Sequence, residues 1–410
     1  MKLLELGNHY VSNFIKPDID YKAEKYSLDL YLDTTLGAVR LNGSDLPPAS
    51  AMWGQYWYRS GINLSMTKEL QNIVNEITGR VKLKDGDTWL DIACNDGTLL
   101  KSIPDNIKKV GIDPADDTYF NESTKVATVV QDYFSHDAWV RSGNEGVKAK
   151  VITCIAMFYD LDNPHPFIDD LSKVLDDDGL LVLQMSYTPL MLKQLAFDNI
   201  CHEHVYYYDL TSIKNLFNTH GFRVVDCSLN DTNGGSFRIY LQKNVAKISS
   251  FATAPSRDVC DARVQSILLY EKHVCDIRNS QTWIHFNNRL QKLKSDVVNF
   301  VDTALAQGKT VYGYGASTKG NTLLQYFGLD STKITAIAER SHYKFGLKTV
   351  GTNIPIISED EMRQQNPDYL LVLPWHFIDE FERREQDYLS KGGALIVPCP
   401  EFKEIRAMNV

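Results

Sequence analysis

The sequence predicts an α/β protein with two doubly wound parallel sheets and a small α+β segment in front of them. Three observations predict it. From Asp87 onward, apolar strand-like runs at 88–93, 109–112, 126–130, 150–157 and 179–185 alternate with helical or loop segments such as Ile168–Leu175. A second series of buried-strand runs begins after Lys309, at Thr310–Gly315, Ile334–Ala338, Tyr369–Leu373 and Ala394–Val397. The first strand of the first series, Thr88-Trp89-Leu90-Asp91-Ile92, runs into a short acidic turn, Ala93-Cys94-Asn95-Asp96-Gly97, and the next strand also ends in an acid, Asp113.

Taken in order, residues 1–65 form a short mixed segment with strand-like pieces at Ser27–Leu32 and Ala38–Leu41. Asp45-Leu46-Pro47-Pro48 reads as a linker. The aromatic stretch Met52-Trp53-Gly54-Gln55-Tyr56-Trp57-Tyr58-Arg59-Ser60-Gly61 follows, and residues 66–80 have helical periodicity. The first βαβ series occupies 66–245. It closes with Phe222–Cys227 and Ser236–Leu241, an antiparallel pair expected at the sheet edge, with Asn233-Gly234-Gly235 as a tight hairpin between them. Residues 246–307 form a connector, helical by pattern over 258–307 because neither Pro nor Gly occurs there. The second series fills 308–410. The chain shows no internal repeat and no low-complexity tract.

Composition excludes several classes of function. The 410 residues carry 43 basic and 52 acidic side chains, a formal charge of −9, which disfavours nonspecific binding to nucleic acid or to anionic membranes. No apolar run reaches spanning length, and Met1-Lys2-Leu3-Leu4-Glu5 lacks the apolar region of a signal peptide. The seven scattered cysteines form no C-x-x-C pair, which fits reduced thiols in a cytoplasmic protein and gives no thiolate metal site.

The first motif binds an adenosine-like group on chemical grounds. A turn of small residues lets backbone approach a ligand, and an acid at the next strand tip accepts two hydrogen bonds from a ribose diol. The dinucleotide pattern G-x-G-x-x-G is absent, and acids stand where a pyrophosphate would be repelled. A cationic ligand suits Asp91 and Asp96, and S-adenosylmethionine carries a sulfonium and an amino group. The alternative is an ordinary strand-turn-helix.

Five blocks together resemble the C-methyltransferases of sugar-nucleotide biosynthesis, which act on 4-keto deoxysugars attached to a nucleoside diphosphate. They are Tyr56–Gly61, Asp91–Leu100, Ile200-Cys201-His202-Glu203-His204 with Tyr206–Tyr208, Asn233–Ser236, and Tyr314-Gly315-Ala316-Ser317-Thr318-Lys319-Gly320-Asn321-Thr322-Leu323-Leu324. They span almost the whole chain. The resemblance implies a Rossmann-like class I methyltransferase domain, a second, C-terminal Rossmann-like domain that binds the nucleotide sugar, and S-adenosylmethionine as cofactor. It implies a small-molecule substrate and a monomer or homodimer. Relatives usually begin with a zinc domain held by four cysteines. Here Leu4–Gly7 and Leu36–Val39 look like its remnants without the cysteines, so no metal is expected. Ala93 replaces a common glycine, Asp160 stands where many relatives have His, and Gln184 replaces a frequent acid.

Methylating carbon requires an acidified C–H, which a neighbouring ketone supplies through an enolate; the site then needs a base and donors for the oxyanion. His204 is the first candidate for the base, with Glu203 to orient it or bind a hydroxyl, and His202 to fix the loop. Tyr56 and Tyr58 are candidate donors to the keto oxygen, with Trp57 an aromatic staple. Cofactor candidates are Asp91, Ala93, Asn95, Asp96, Gly97, Asp113, Asp132, Tyr133 and Met157. Substrate candidates are Arg59, suited equally to a phosphate or a structural carboxylate, with Ser60, Asn233, Ser236, Tyr314, Lys319 and Asn321. Lys319 beside a glycine turn makes a diphosphate site. Two other classes stand beside this reading: an O- or N-methyltransferase, for which His204→Asn costs little, and a noncatalytic cofactor-binding homologue.

Overall fold

A computed structural model describes residues 1–19, 24–53, 57–246 and 255–407. Tyr56 lies outside the described residues.

The first βαβ series forms a seven-stranded sheet. Its spatial order is Phe222–Asn230, Ser236–Lys243, Leu175–Ser186, Ala149–Ile155, Thr88–Ile92, Lys108–Ile112 and Thr128–Val130. The five strands from Thr128–Val130 to Leu175–Ser186 are parallel; Ser236–Lys243 runs antiparallel between its two neighbours. Of this antiparallel pair, Ser236–Lys243 is therefore interior and only Phe222–Asn230 lies at an edge. Helices cover both faces, so the central strands read as continuous apolar runs: every residue of Thr88–Ile92 is buried. The helix Leu64–Arg80 covers one face with Leu70, Ile73, Val74 and Ile77, spaced for a single stripe, and starts where the Asn63 side chain accepts the Ser65 N–H.

The second series forms a six-stranded sheet in the order Ile356–Ser358, Ile337–Glu339, Val311–Tyr314, Tyr369–Val372, Ala394–Val397 and Lys403–Ile405, parallel except for the last strand. The intervening segment is two helices, Arg257–His273 and Ser280–Ala306. No Gly or Pro breaks it. The break falls where Arg278 turns to pair with the buried Asp209 at 2.8 Å and the Asn279 side chain caps the second helix by accepting the Gln281 N–H.

The N-terminal segment joins both domains. Its sheet, Lys2–Leu4, Leu30–Asp33 and Ala38–Leu41, takes Tyr206–Tyr207 of the methyltransferase-like region as a fourth strand. Phe14–Ile15 pairs with Lys348–Thr349 of the C-terminal domain. The two turns that resemble a metal-binding region are closed by carboxylates: Asp29 accepts the N–H groups of Leu6 (3.1 Å) and Gly7 (3.0 Å), and Asp33 those of Thr35 (2.9 Å) and Leu36 (3.2 Å). Among the described residues no helix is long and apolar enough to cross a membrane.

Candidate active site

In an open parallel sheet, the crevice lies where neighbouring strands send their connections to opposite faces. This chain has two such points: beyond Thr88–Ile92 and Ala149–Ile155 in the first sheet, and beyond Val311–Tyr314 and Tyr369–Val372 in the second. Both open onto one cavity of about 320 Å³. Asp91, Ala93, Asn95, Ile155 and Ala156 line it from the first domain, and Ser317, Thr318, Lys319, Pro374 and His376 from the second. Cys201, Glu203 and His204 close it between them, with Thr232, Asn233 and Ser236. Ala93, Asn95, Ala156 and Asn233 line this cavity in left-handed backbone (φ 58, 51, 55 and 54°), a conformation that costs a non-glycine residue and gathers at functional sites.

The cofactor candidates divide. Asp91, Ala93 and Asn95 line the cavity. Asp91 accepts the Thr153 hydroxyl at 2.7 Å, and burial, with Asp113 nearby, pushes its carboxyl up to about 7. Asp113 uses one oxygen for the Asn95 N–H (2.7 Å) and the other for the Ala115 N–H (2.7 Å), which leaves further lone pairs for a diol. Burial raises it too, and no cation offsets either acid among the described residues. Uncompensated buried acids fit a cationic ligand, so this donor set suits a sulfonium and an ammonium.

Asp96 has another task. It accepts the Thr98 hydroxyl (2.6 Å) and the Gly61 N–H (2.9 Å), while Asn95 accepts the Ser60 N–H (3.0 Å) and donates to the Tyr58 carbonyl (3.0 Å). The two side chains strap residues 58–61 across the turn. Gly97, at φ 75°, stands where an added Cβ would lie 3.0 Å from the Ser123 backbone, so packing demands it. Asp132 is ion-paired with Arg141, Tyr133 is 60% exposed, and Met157 packs on the domain core. These four residues, with Asp96 and Asp113, lie outside the cavity lining, and Asp113 meets it only through the Asn95 backbone.

The His-Glu-His block separates into unlike environments. His202 is buried away from the cavity and hydrogen-bonded to the Tyr26 carbonyl (3.0 Å); burial pushes it down to about 4. It anchors the N-terminal segment, which corrects its place among the catalytic candidates. His204 lines the cavity, 4.2 Å ring to ring from Tyr159. Its Nδ1 meets the Asn199 carbonyl at 2.8 Å. A carbonyl only accepts, so Nδ1 carries the hydrogen and Nε2 of the neutral ring is the free base. Burial, then Lys319, pushes this imidazole down to about 3, well below the ordinary value expected of it. Burial pushes Glu203 up to about 7.

Among substrate candidates, Lys319 donates to the Asn233 carbonyl (3.1 Å) across the domain boundary. The Ser236 hydroxyl donates to the Thr232 carbonyl (2.9 Å), and residues 231–235 form a five-residue loop between the paired Asn230 and Ser236, longer than a tight hairpin. Arg59 lines the cavity, and its guanidinium lies over the rings of Tyr119 (4.6 Å) and Tyr343 (5.0 Å), one from each domain. Ser60 and Tyr58 line the rim, and Trp57 donates to Asn13 (2.8 Å). Two candidates belong to the framework. The Tyr314 hydroxyl is buried against Glu385 (2.5 Å) and Glu359 (3.2 Å), and Asn321 donates to Ser12 (3.0 Å) and to the Asn13 carbonyl (3.3 Å).

Sequence reasoning passed over four cavity groups as site residues. Asp160 was noted only as a departure. Lys344 and Glu339 carried a usable signal, since Glu339 ends the second strand of its domain as Asp113 does in the first. Glu339 accepts the N–H groups of Ala316 (2.7 Å) and Ser341 (2.8 Å), and Lys344 donates to the Ala316 carbonyl (2.7 Å). His376, on the short turn Trp375–Phe377, lines the cavity as well. Gln184 donates to Glu69 (3.1 Å) and accepts from Arg238 (2.8 Å), so Glu69 supplies the negative charge that an acid at 184 would bring. Among the described residues no cluster suited to a metal ion occurs.

Two family models match consecutive parts of the chain: a methyltransferase domain over residues 63–226 and a C-methyltransferase C-terminal domain over residues 231–400. The C-methyltransferase NovU of Streptomyces niveus is 29% identical over 357 residues, covering 87% of this chain and 82% of that protein. Similar solved structures include an S-adenosylmethionine-dependent methyltransferase from Clostridium acetobutylicum (12% identity, 43% of this chain and 92% of that one, TM-score 0.34). Another is the magnesium protoporphyrin IX methyltransferase of Synechocystis with bound SAH (13% identity, 44% and 87%, TM-score 0.33).

Proposed function

We propose a substrate and a mechanism for this S-adenosylmethionine-dependent C-methyltransferase: it alkylates a carbon beside the ketone of a nucleoside-diphosphate-linked keto sugar. When bound, the cofactor supplies the electrophilic methyl group; Asp91, Asn95 and Asp113 are the residues that would hold it. His204 removes the α-proton through Nε2. Its tautomer is set by the Asn199 carbonyl, and this fixed, neutral imidazole inside the cavity is the observation that carries the reading. A low resting pKa keeps the ring unprotonated at working pH. As the α-proton leaves, negative charge develops on the carbonyl oxygen and stabilises the imidazolium that forms beside it. Glu203 holds a sugar hydroxyl. Tyr58 at the rim faces the sugar, and Lys319, Ser317 and Thr318 take the diphosphate at the start of the helix Thr318–Phe327.

The test is incubation with methyl-labelled cofactor and a panel of nucleoside-diphosphate 4-keto sugars in deuterated water. The expected product carries the label on carbon. His204→Asn should lower both methylation and solvent exchange at that carbon by about 10²- to 10⁴-fold without loss of S-adenosylhomocysteine binding. Label on oxygen or nitrogen, or a fully active His204→Asn, would defeat the proposal.

A further inference from the structure

Two acids line the same cavity, near enough for the charge of one to act on the other. Asp160 lies in the short turn Phe158–Asp160 that follows the strand Ala149–Ile155, and Glu203 lies in the segment before Tyr206–Tyr207. Both line the cavity beside His204 and Tyr159. Asp160 Oδ1 and Glu203 Oε2 are buried atoms without a hydrogen-bond partner among the described residues. A buried oxygen of this kind costs stability unless a ligand or a shared proton satisfies it.

The neighbours of the pair bring no cation against Asp160. Cys154 is on the strand beneath, Cys201 and His204 flank Glu203, and Tyr207 feels both acids from the N-terminal sheet. Lys319 reaches this corner from the C-terminal domain and acts on His204 and Cys201. Burial, then the charge of Glu203, holds Asp160 well above the carboxylate range. Two desolvated carboxyls in one pocket cannot both ionise.

We propose that Asp160 and Glu203 hold one proton between them, and that Asp160 in its acid form donates a hydrogen bond to the substrate's carbonyl oxygen. This rests on the enolate mechanism above. The α-proton passes to His204 Nε2 and its electron pair moves onto the carbonyl oxygen, which Asp160 O–H holds. The new C–C bond then forms as the S–C bond breaks, the carbonyl returns, and Asp160 keeps its proton. Glu203, as the carboxylate of the pair, accepts a substrate hydroxyl. Asp160 thus becomes the oxyanion donor of this site, a role that a carboxyl can fill only where it stays neutral.

The first test needs no substrate. The infrared difference spectrum of the full-length wild type minus Asp160→Asn at pH 7 should show a protonated-carboxyl carbonyl band that shifts in deuterated water. A carboxylate band in its place overturns the inference. The second test compares two variants on a thymidine-diphosphate 4-keto-6-deoxyhexose. Asp160→Asn retains an N–H donor and should lose about tenfold at most, whereas Asp160→Ala should lose about 10²- to 10³-fold in kcat. Asp160→Ala at wild-type rate overturns the inference while leaving the C-methylation reading intact. A wild type that methylates no keto sugar defeats that reading, and the proton-sharing pair is then judged by the infrared band alone.

Discussion

Lys319→Met isolates the anion site from the cofactor site. Methionine keeps most of the aliphatic stem and removes the ammonium. That ammonium donates to the Asn233 carbonyl at 3.1 Å, and its charge reaches Asp198, Cys201, His204 and His376. A charge-assisted hydrogen bond to a phosphate contributes about 1.5–3 kcal/mol, so the affinity for a nucleoside diphosphate should fall about 10- to 150-fold. S-adenosylhomocysteine, for which Asp91, Asn95 and Asp113 in the other domain are the proposed holders, should bind within about twofold of wild type. The same change has a second sign. Lys319 lowers His204, so its loss raises that imidazole and moves the acidic limb of kcat/KM upward in pH, although burial still keeps it below its ordinary value. Calorimetric titration with thymidine diphosphate and with S-adenosylhomocysteine reads both affinities. Unchanged diphosphate binding in a folded variant would refute the assignment of Lys319. An equal loss for both ligands would show a general collapse of the cavity.

Asp226→Asn should destabilise the protein by about 3–5 kcal/mol in denaturant unfolding, because the fully buried Asp226 balances Arg80 (2.6 Å) and Arg263 (3.0 Å to Nε), and one charge less leaves arginine uncompensated. His202→Gln should blunt acid destabilisation. His202 falls from 6.5 to about 4 on folding, so the unfolded chain binds more protons between these values and stability drops as pH falls through that window, by about 3 kcal/mol at most. Denaturation at pH 7 and pH 4.5 should therefore show a smaller drop for the variant; an equal drop contradicts the burial argument. Gly235→Ala places a Cβ 2.6 Å from Leu190 Cβ at φ 110°, and should lower stability by about 1–3 kcal/mol while weakening diphosphate binding through the 231–235 loop. A variant with wild-type melting and affinity counts against a rigid loop.

The two sheets were legible because their strands are short apolar runs that end in small residues or acids, a local pattern. Within the His-Glu-His block the division between His202, expected to fix the loop, and His204 was readable, but the partners that set each ring were not. Tyr26 claims the first and Asn199 fixes the second. Tyr314 and Asn321 sit in a motif that reads as a ligand turn, yet Glu385 and Ser12 draw them into the framework. The break between the two connector helices left no glycine or proline to see, because a long-range pair with Asp209 sets it. Asp96 misled for a related reason: an acid beside a turn looks the same whether it faces a cation or ties down Gly61.

The placement of His204 depends more on the N-terminal segment than on the connector. That segment pairs through Ala38–Leu41 with Tyr206–Tyr207, directly after the His-Glu-His block, and through Phe14–Ile15 with the C-terminal domain. Gln325 adds two bonds to the Tyr10 backbone (2.9 and 3.1 Å), and Trp57 and Asn321 both bind Asn13, by its side chain and its carbonyl respectively. One small segment thereby sets the distance between the imidazole and the helix start that carries Lys319. A staple of that kind needs rigid turns. Asp29 and Asp33 provide them by taking two backbone N–H groups each. The segment therefore keeps the His204 imidazole and the helix start of Lys319 in register.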